Sequence, residues 1–286
     1  MATGDFTRIN TNISALNALN SLKSIQNQLG TAQLALSTGK RINSAADDPA
    51  GLTIATKFNY TASGLGVALN NIGDAKNMLA VAEGGLNEIS TILQSMRDKA
   101  VQAASDTLGS AERDAITTQL KDFSAEIDSI VQTTTWNGKK LLDGLGDFGG
   151  TVTFQVGAST NSQDTLSLSS GSFASVDATT LGLASGSISL TTAGDATALM
   201  DVIDTAIGNV STSLQNEGSL VSRMNFRQDT VTVAQVNTEA AYSRIMDADM
   251  ASEQLQSTKL QILQQTATSM LAQANMAPQT LLKLFQ

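Results

Sequence analysis

The chain has 286 residues, a formal net charge of −9, 4% aromatic residues, two prolines, and neither cysteine nor histidine. Those absences exclude disulfides, thiolate chemistry, the common zinc sites and a histidine general base. The reading therefore assigns no catalytic, metal-binding or cofactor-binding residue and no cofactor, and the length allows one large domain or two or three small ones.

Charge is unevenly placed. No Lys or Arg lies between Lys140 and Arg223, while eight carboxylates from Asp143 to Glu217 do, so this stretch carries −8 of the −9. An acidic middle argues against a nucleic-acid partner there. The first dozen residues lack a basic segment followed by an apolar one, and no cleavable signal peptide is expected. No run of about 18 apolar residues marks a transmembrane helix.

In chain order, the first expected element is an amphipathic helix over 15–36. Ala15, Ala18, Leu22, Ile25, Leu29, Ala32 and Leu36 form a thin apolar seam, and the other face is rich in Asn and Gln. Gly39 is placed to cap its C-terminus. Asp48 is then placed as an N-cap and Pro49 as the first residue of a second helix, expected to run to about Ser105. That helix carries the longest pattern in the chain. Leu65, Ala68, Ile72, Ala75, Leu79, Ala82, Leu86, Ile89, Leu93, Met96, Ala100 and Ala103 alternate three- and four-residue steps. This is a coiled-coil seam roughly 58 Å long at about 1.5 Å per residue.

A break at Leu108-Gly109-Ser110 precedes a third helix over about 110–132, with the seam Ile116, Leu120, Phe123, Ile127 and Ile130. Asn137-Gly138 favours a tight turn. From about Gly144 to Gly194 the pattern changes to Gly, Ser and Thr with apolar residues at every second position. Short strands are expected around Val152–Val156, Leu166–Leu168 and Ile188–Leu190. Helix returns from about Ala196 to Val236 or beyond, on Ile203, Ile207, Val210, Leu214, Val221, Met224 and Val231, with polar breaks at Glu217 and Gln228. The last segment repeats heptads through Leu260, Leu263, Ala267, Met270, Ala274, Ala277, Leu281 and Leu284, with a kink or interruption expected at Pro278.

The expected fold is mainly α: a long antiparallel helical coiled-coil or bundle rod formed by the N- and C-terminal segments, with a small β-hairpin region in the middle. The two terminal seams can pair. Each is short and thin, and short amphipathic helices are marginal alone in water. Residues before about 45 and after about 248 are therefore expected to order fully only when copies pack together, although an ordinary intramolecular coiled coil fits the same spacing. Non-closing contacts between such units generate helical filaments.

Several stretches resemble bacterial flagellin. At the N-terminal end they are Ile9-Asn10-Thr11-Asn12, the seventeen residues from Leu36-Ser37-Thr38-Gly39-Lys40 through Asp47-Asp48-Pro49-Ala50-Gly51-Leu52, Ala82-Glu83-Gly84, Arg97 with Ala100–Ala104, and Asn137-Gly138-Lys139-Lys140-Leu141-Leu142. At the other end Ser243-Arg244-Ile245-Met246-Asp247-Ala248-Asp249 and Met270-Leu271-Ala272-Gln273-Ala274-Asn275 continue it. The likeness covers about 8–142 and 200–286.

The resemblance implies a division. Residues 1–45 and 248–286 are the two halves of a filament's inner-core helical domain. Residues 46–143 and 196–247 are the two parts of its outer-tube helical domain, and 144–195 is a β-hairpin region without a large surface insertion. It implies an inner-core assembly seam of Leu22, Ile25, Leu29, Leu36, Leu260, Leu263, Met270, Leu281 and Leu284. The implied partners are many copies of the chain itself, the flagellar cap, hook-junction proteins, an export chaperone and the export apparatus. The implied location is extracellular, in the filament, after export without a cleaved signal peptide. Arg97 and Gln102 match the stretch that a vertebrate innate-immune flagellin receptor contacts, while Ser95 and Lys99 replace a usual arginine and leucine. Ser and Thr in 151–192 are candidates for O-glycosylation, with plain surface polarity as the simpler account.

The alternative within the same superfamily is a hook–filament junction protein. An enzyme working through carboxylates fits poorly, because 144–194 hold no His, no Cys and no metal-ligand spacing. A membrane-surface protein fits poorly too, because the polar faces are rich in Asn and Gln rather than basic.

Overall fold

In a computed structural model, residues 11–169 and 174–284 are described, with side chains described to Met276. The described residues form five α-helices: α1 (Ile13–Thr38), α2 (Pro49–Ala103), α3 (Ser110–Thr133), α4 (Ala193–Met246) and α5 (Met250–Leu284). Two small antiparallel hairpins lie between α3 and α4. One pairs β1 (Thr135–Trp136) with β2 (Lys139–Lys140), and the other pairs β3 (Thr151–Gln155) with β4 (Thr165–Ser169) in the register Val152↔Leu168 and Phe154↔Leu166. The fold is therefore mainly α with a small β region in the middle. The chain divides into two compact units, one made of the residues up to Tyr60 together with those from Asn237 onward, the other of Thr61–Val236.

In the Thr61–Val236 unit the α2 seam dominates. All twelve positions from Leu65 to Ala103 are buried. Alternating three- and four-residue steps keep them on one face, and burial of each large apolar side chain contributes about 1.5–3 kcal/mol. From Leu79 to Ala103 this row packs with Ile116, Leu120 and Ile127 of α3 and Ile203, Ala206 and Val210 of α4. From Leu65 to Ala75 it packs with Met224 and Val231 of α4 and with Val156 and Leu166 at the larger hairpin. Lys76 bonds Gln228, and Arg97 bonds Asp204. The reversed order of those pairs makes α2 and α4 antiparallel.

The seams of α3 and α4 are rotated slightly from their expected positions. On α3 the buried row is Ile116, Leu120, Ser124, Ile127 and Val131, with Phe123 and Ile130 only partly buried. Ser124 is inward because its hydroxyl donates to the Leu183 carbonyl at 2.7 Å. On α4 the buried row is Ile203, Ala206, Val210, Ser213, Glu217, Leu220 and Met224, and Ile207, Leu214 and Val221 lie at its margin. Glu217 is thus inside the seam rather than a break in it.

Local signals account for the element ends. Gly39 ends α1 at φ 69°, its N–H donating to the Ala35 carbonyl. Asn137 and Gly138 both have positive φ, 50° and 76°, as a two-residue hairpin turn of this kind requires. Thr192 and Asp195 open α4 reciprocally. The Asp195 carboxylate accepts the Thr192 N–H at 2.7 Å, and the Asp195 N–H donates to the Thr192 hydroxyl.

One expected strand does not form, and the interruption expected at Pro278 does not occur. Ile188 and Leu190 are 1% and 2% exposed, yet they form no strand. Their alternation reflects burial against the main core, and among the described residues no strand pairs with them. Pro278 does not interrupt α5, which is continuous to Leu284. A single proline costs a helix one hydrogen bond and some steric strain, and a long helix can carry that cost.

Candidate assembly interface

The α1–α5 pair carries the candidate site. The two helices run antiparallel. Asn12 Nδ2 donates to the Ala274 carbonyl at 2.7 Å, and Leu29 and Ala32 pack on Leu260. At the other end the Ala248 N–H donates to the Gly39 carbonyl at 2.9 Å. Asn12 also caps α1, its Oδ1 accepting the Ala15 N–H at 2.9 Å.

On α5 the face toward α1 is Glu253, Ser257, Leu260, Gln264, Ala267, Leu271 and Ala274, at alternating four- and three-residue steps. Of these only Leu260 is both large, apolar and buried. A second face carries Leu255, Ile262, Leu263 and Met270, which are 73%, 59%, 40% and 58% exposed. Helical spacing separates the two faces by more than a quarter turn. On α1, Ile13, Leu16 and Leu34 are also half exposed. A groove lined by Asn12, Ala15, Leu16, Leu19, Leu271 and Asn275 opens near the start of α1.

The nine residues of the assembly seam divide accordingly. Leu22, Leu29 and Leu260 are buried between the two helices, with Ile25 packed beside them and Leu36 half-buried. Leu263 and Met270 lie on the exposed face instead of facing α1. Leu281 and Leu284 lie outside the described side chains. Spacing alone missed the inward Ser257, Gln264 and Leu271. Reading the polar and small residues of α5 at heptad steps would have found that face.

Next to this pair, two stretches far apart in the sequence meet. The Arg41 N–H donates to the Met246 carbonyl, Arg41 Nη2 donates to the Ile245 carbonyl at 2.7 Å, and Lys40 bridges Asp247. Ile42, Ala55 and Met246 are buried together under Leu52, Tyr242 and Ile245. Asp47 accepts the Asn43 and Ser44 N–H groups, and those main-chain donors, Ser44 foremost, hold its carboxyl below the usual range. Asp48 Oδ1 accepts the Gly51 N–H at 2.8 Å in the first turn that Pro49 begins. A Cβ on Gly51 would fall against the Asp48 carboxylate and 2.9 Å from Ile42 Cδ1, so glycine is needed there.

Arg97 and Gln102 belong to the other unit, on α2. Both are exposed. Arg97 Nε donates to Asp204 at 2.6 Å, and that carboxylate raises the guanidinium above its usual range. Gln102 accepts from Lys99 Nζ at 3.5 Å. Among the described residues no group of three or more His, Cys, Asp or Glu is placed to hold a metal ion, and no helix is long and apolar enough to cross a membrane.

Helical ends that pair thinly and expose a second apolar face mark a subunit of an assembly. The chain matches the bacterial flagellin N-terminal helical region over residues 9–147 and the bacterial flagellin C-terminal helical region over 200–285. It is 34% identical over 284 residues to a flagellin of Listeria monocytogenes, covering 97% of this chain and 99% of that one. It is 35% identical over 306 residues to the flagellin of Bacillus subtilis, covering 98% and 100%. A solved structure from Vibrio parahaemolyticus, described as a flagellar hook-associated protein, shares the fold with a TM-score of 0.55 at 18% identity, covering 70% of this chain and all of that one. The chain belongs to the bacterial flagellin family.

Proposed function

We infer that this chain is a structural subunit that polymerises into the helical filament of the bacterial flagellum, the propeller for swimming. Membership of the flagellin family at both ends of the chain supports this most directly. The exposed row Leu255, Ile262, Leu263 and Met270 supports it independently. Large apolar side chains repeated along one helix face seek a partner, and a second copy supplies one in a homopolymer.

We assign 1–45 and 248–286 to the inner core of the filament, 46–143 and 196–247 to the tube around it, and 144–195 to a hairpin region on that tube. The nine-residue seam from Leu22 to Leu284 acts in the inner core. Leu22, Ile25, Leu29 and Leu260 serve within a subunit, and Leu263 and Met270 serve between subunits. Asp48 and Pro49 start the helix that leads from the core to the tube. The chain acts without catalysis. It passes through the flagellar export apparatus with an export chaperone and adds beneath the cap beyond the hook-junction proteins. Arg97 and Gln102 are the residues an innate-immune flagellin receptor would meet.

Seeding purified monomer with short flagellar fragments and imaging the product by electron microscopy tests this reading. Long helical filaments are expected. A chain that only decorates fragment ends is instead a hook–filament junction protein.

A further inference from the structure

Among the described residues, Glu217 is 1% exposed and neither of its carboxylate oxygens has a hydrogen-bond partner. It occupies a seam position of α4 between Ser213 and Leu220, where every other residue from Ile203 to Met224 is apolar or a serine. The Arg97–Asp204 and Lys76–Gln228 pairs bracket it on the antiparallel α2 and set it level with Glu83.

The charges around it are few. From α2 the facing charge is Glu83, of like sign. On α4 itself no charged residue other than Glu217 occurs from Thr205 to Ser222. The 134–142 segment packs on Gly85, but its Lys139 lies over the Phe148 ring and its Lys140 bonds Gln132. Burial first and Glu83 second push the Glu217 carboxyl up to about 8.

The helices are weakest at this level. Gly84 and Gly85 stand side by side within α2, and Gly218 follows Glu217 in α4. Glycine in a helix interior costs about 1 kcal/mol relative to alanine.

We propose that Glu217 and Glu83 form a pH-operated weak point in the α2–α4 pair, closed while Glu217 keeps its proton and loosened at the Gly84, Gly85 and Gly218 level once it ionises. The proton on Glu217 removes the like-charge repulsion and most of the cost of burying the group. Because the folded value lies above the unfolded one, stability is fully present below about pH 4.5. It falls as pH rises and levels off above about pH 8, with up to a tenfold change in the unfolding constant per pH unit. The chain has no histidine to titrate in the same window.

The test uses the full-length monomer. The Glu217 carboxyl is followed by carbon NMR, and urea unfolding is measured between pH 5 and 9 for the wild type, Glu217→Gln and Glu83→Gln. The wild-type carboxyl should titrate well above the ordinary range. The wild-type unfolding constant should rise more than tenfold from pH 5.5 to 8.5, a rise that Glu217→Gln removes and Glu83→Gln moves to lower pH. Corrected for intrinsic exchange, amides of 80–88 and 213–221 should lose protection over that range in the wild type only. A Glu217 carboxyl titrating at 4–5, or a slope unchanged in Glu217→Gln, overturns the proposal. The NMR measurement decides the matter even if that variant does not fold.

Discussion

Gly84 and Gly85 are adjacent in one helix, and the structure predicts opposite outcomes for the same substitution. Gly84 is exposed, and a Cβ built there meets nothing within 4 Å. Gly84→Ala should therefore gain the full helix-interior preference of about 1 kcal/mol. Gly85 faces the loop that follows α3. A Cβ there would lie 2.7 Å from Thr134 Oγ1, 2.8 Å from Leu142 Cδ1 and 3.1 Å from Thr134 Cγ2. Thr134 is branched at Cβ and 9% exposed, and Leu142 is 2% exposed, so neither has room to yield. Overpacking of this kind costs about 1–3 kcal/mol, and the propensity gain offsets about 1. Gly85→Ala should be neutral to about 2 kcal/mol destabilising, and the two variants should differ by roughly 1–3 kcal/mol. At about 2–4 °C per kcal/mol for a unit of this size, thermal unfolding followed by circular dichroism resolves the difference. Equal shifts in the same direction for both variants would refute the packing of the 134–142 segment on α2.

Other predictions concern the caps and the surface ion pair. Asp48→Ala removes the acceptor of the Gly51 N–H and should cost about 1 kcal/mol, read by urea unfolding, whereas Asp48→Asn should retain most of it. Asp195 is held below the usual carboxylate range, first by the Thr191 hydroxyl and then by the Thr192 N–H. A lowered folded value means the contribution is present above the unfolded value and lost as pH falls through the folded one. The first turn of α4 should therefore fray below about pH 4, and Asp195→Asn should lack that acid transition in residue-resolved exchange. Arg97 and Asp204 are 43% and 49% exposed at the side chain, so a double-mutant cycle should return less than about 1 kcal/mol and shrink further in salt.

The long α2 seam was legible because every position is apolar and the period is unbroken over twelve positions. The hairpin at Val152–Val156 and Leu166–Leu168 was legible from alternation. The reading failed where burial and hydrophobicity part company. Ser124 is buried because it reaches a carbonyl, and Glu217 is buried with no hydrogen-bond partner among the described residues, so an apolar search passes over both. Leu263 and Met270 show the converse. They are apolar and on a heptad, but the stripe that faces α1 is the smaller, more polar one through Ser257, Gln264 and Ala267. A helix with two candidate stripes does not reveal from spacing which one its own chain covers. The contacts of Arg41 with Ile245 and Met246 join chain segments about 200 residues apart, which no local pattern encodes.

The central claim is that α1 and α5 are completed by neighbouring copies. Within one chain their shared face buries Leu22, Leu29 and Leu260 as its large apolar residues, while Leu255, Ile262, Leu263 and Met270 stay exposed. The most direct test is amide hydrogen exchange on both helices in dilute monomer and in assembled filament. The account predicts rapid exchange of residues before 45 and after 248 in the monomer and strong protection in the filament, with the α2 seam protected in both. Full protection of α1 and α5 in the dilute monomer would contradict it.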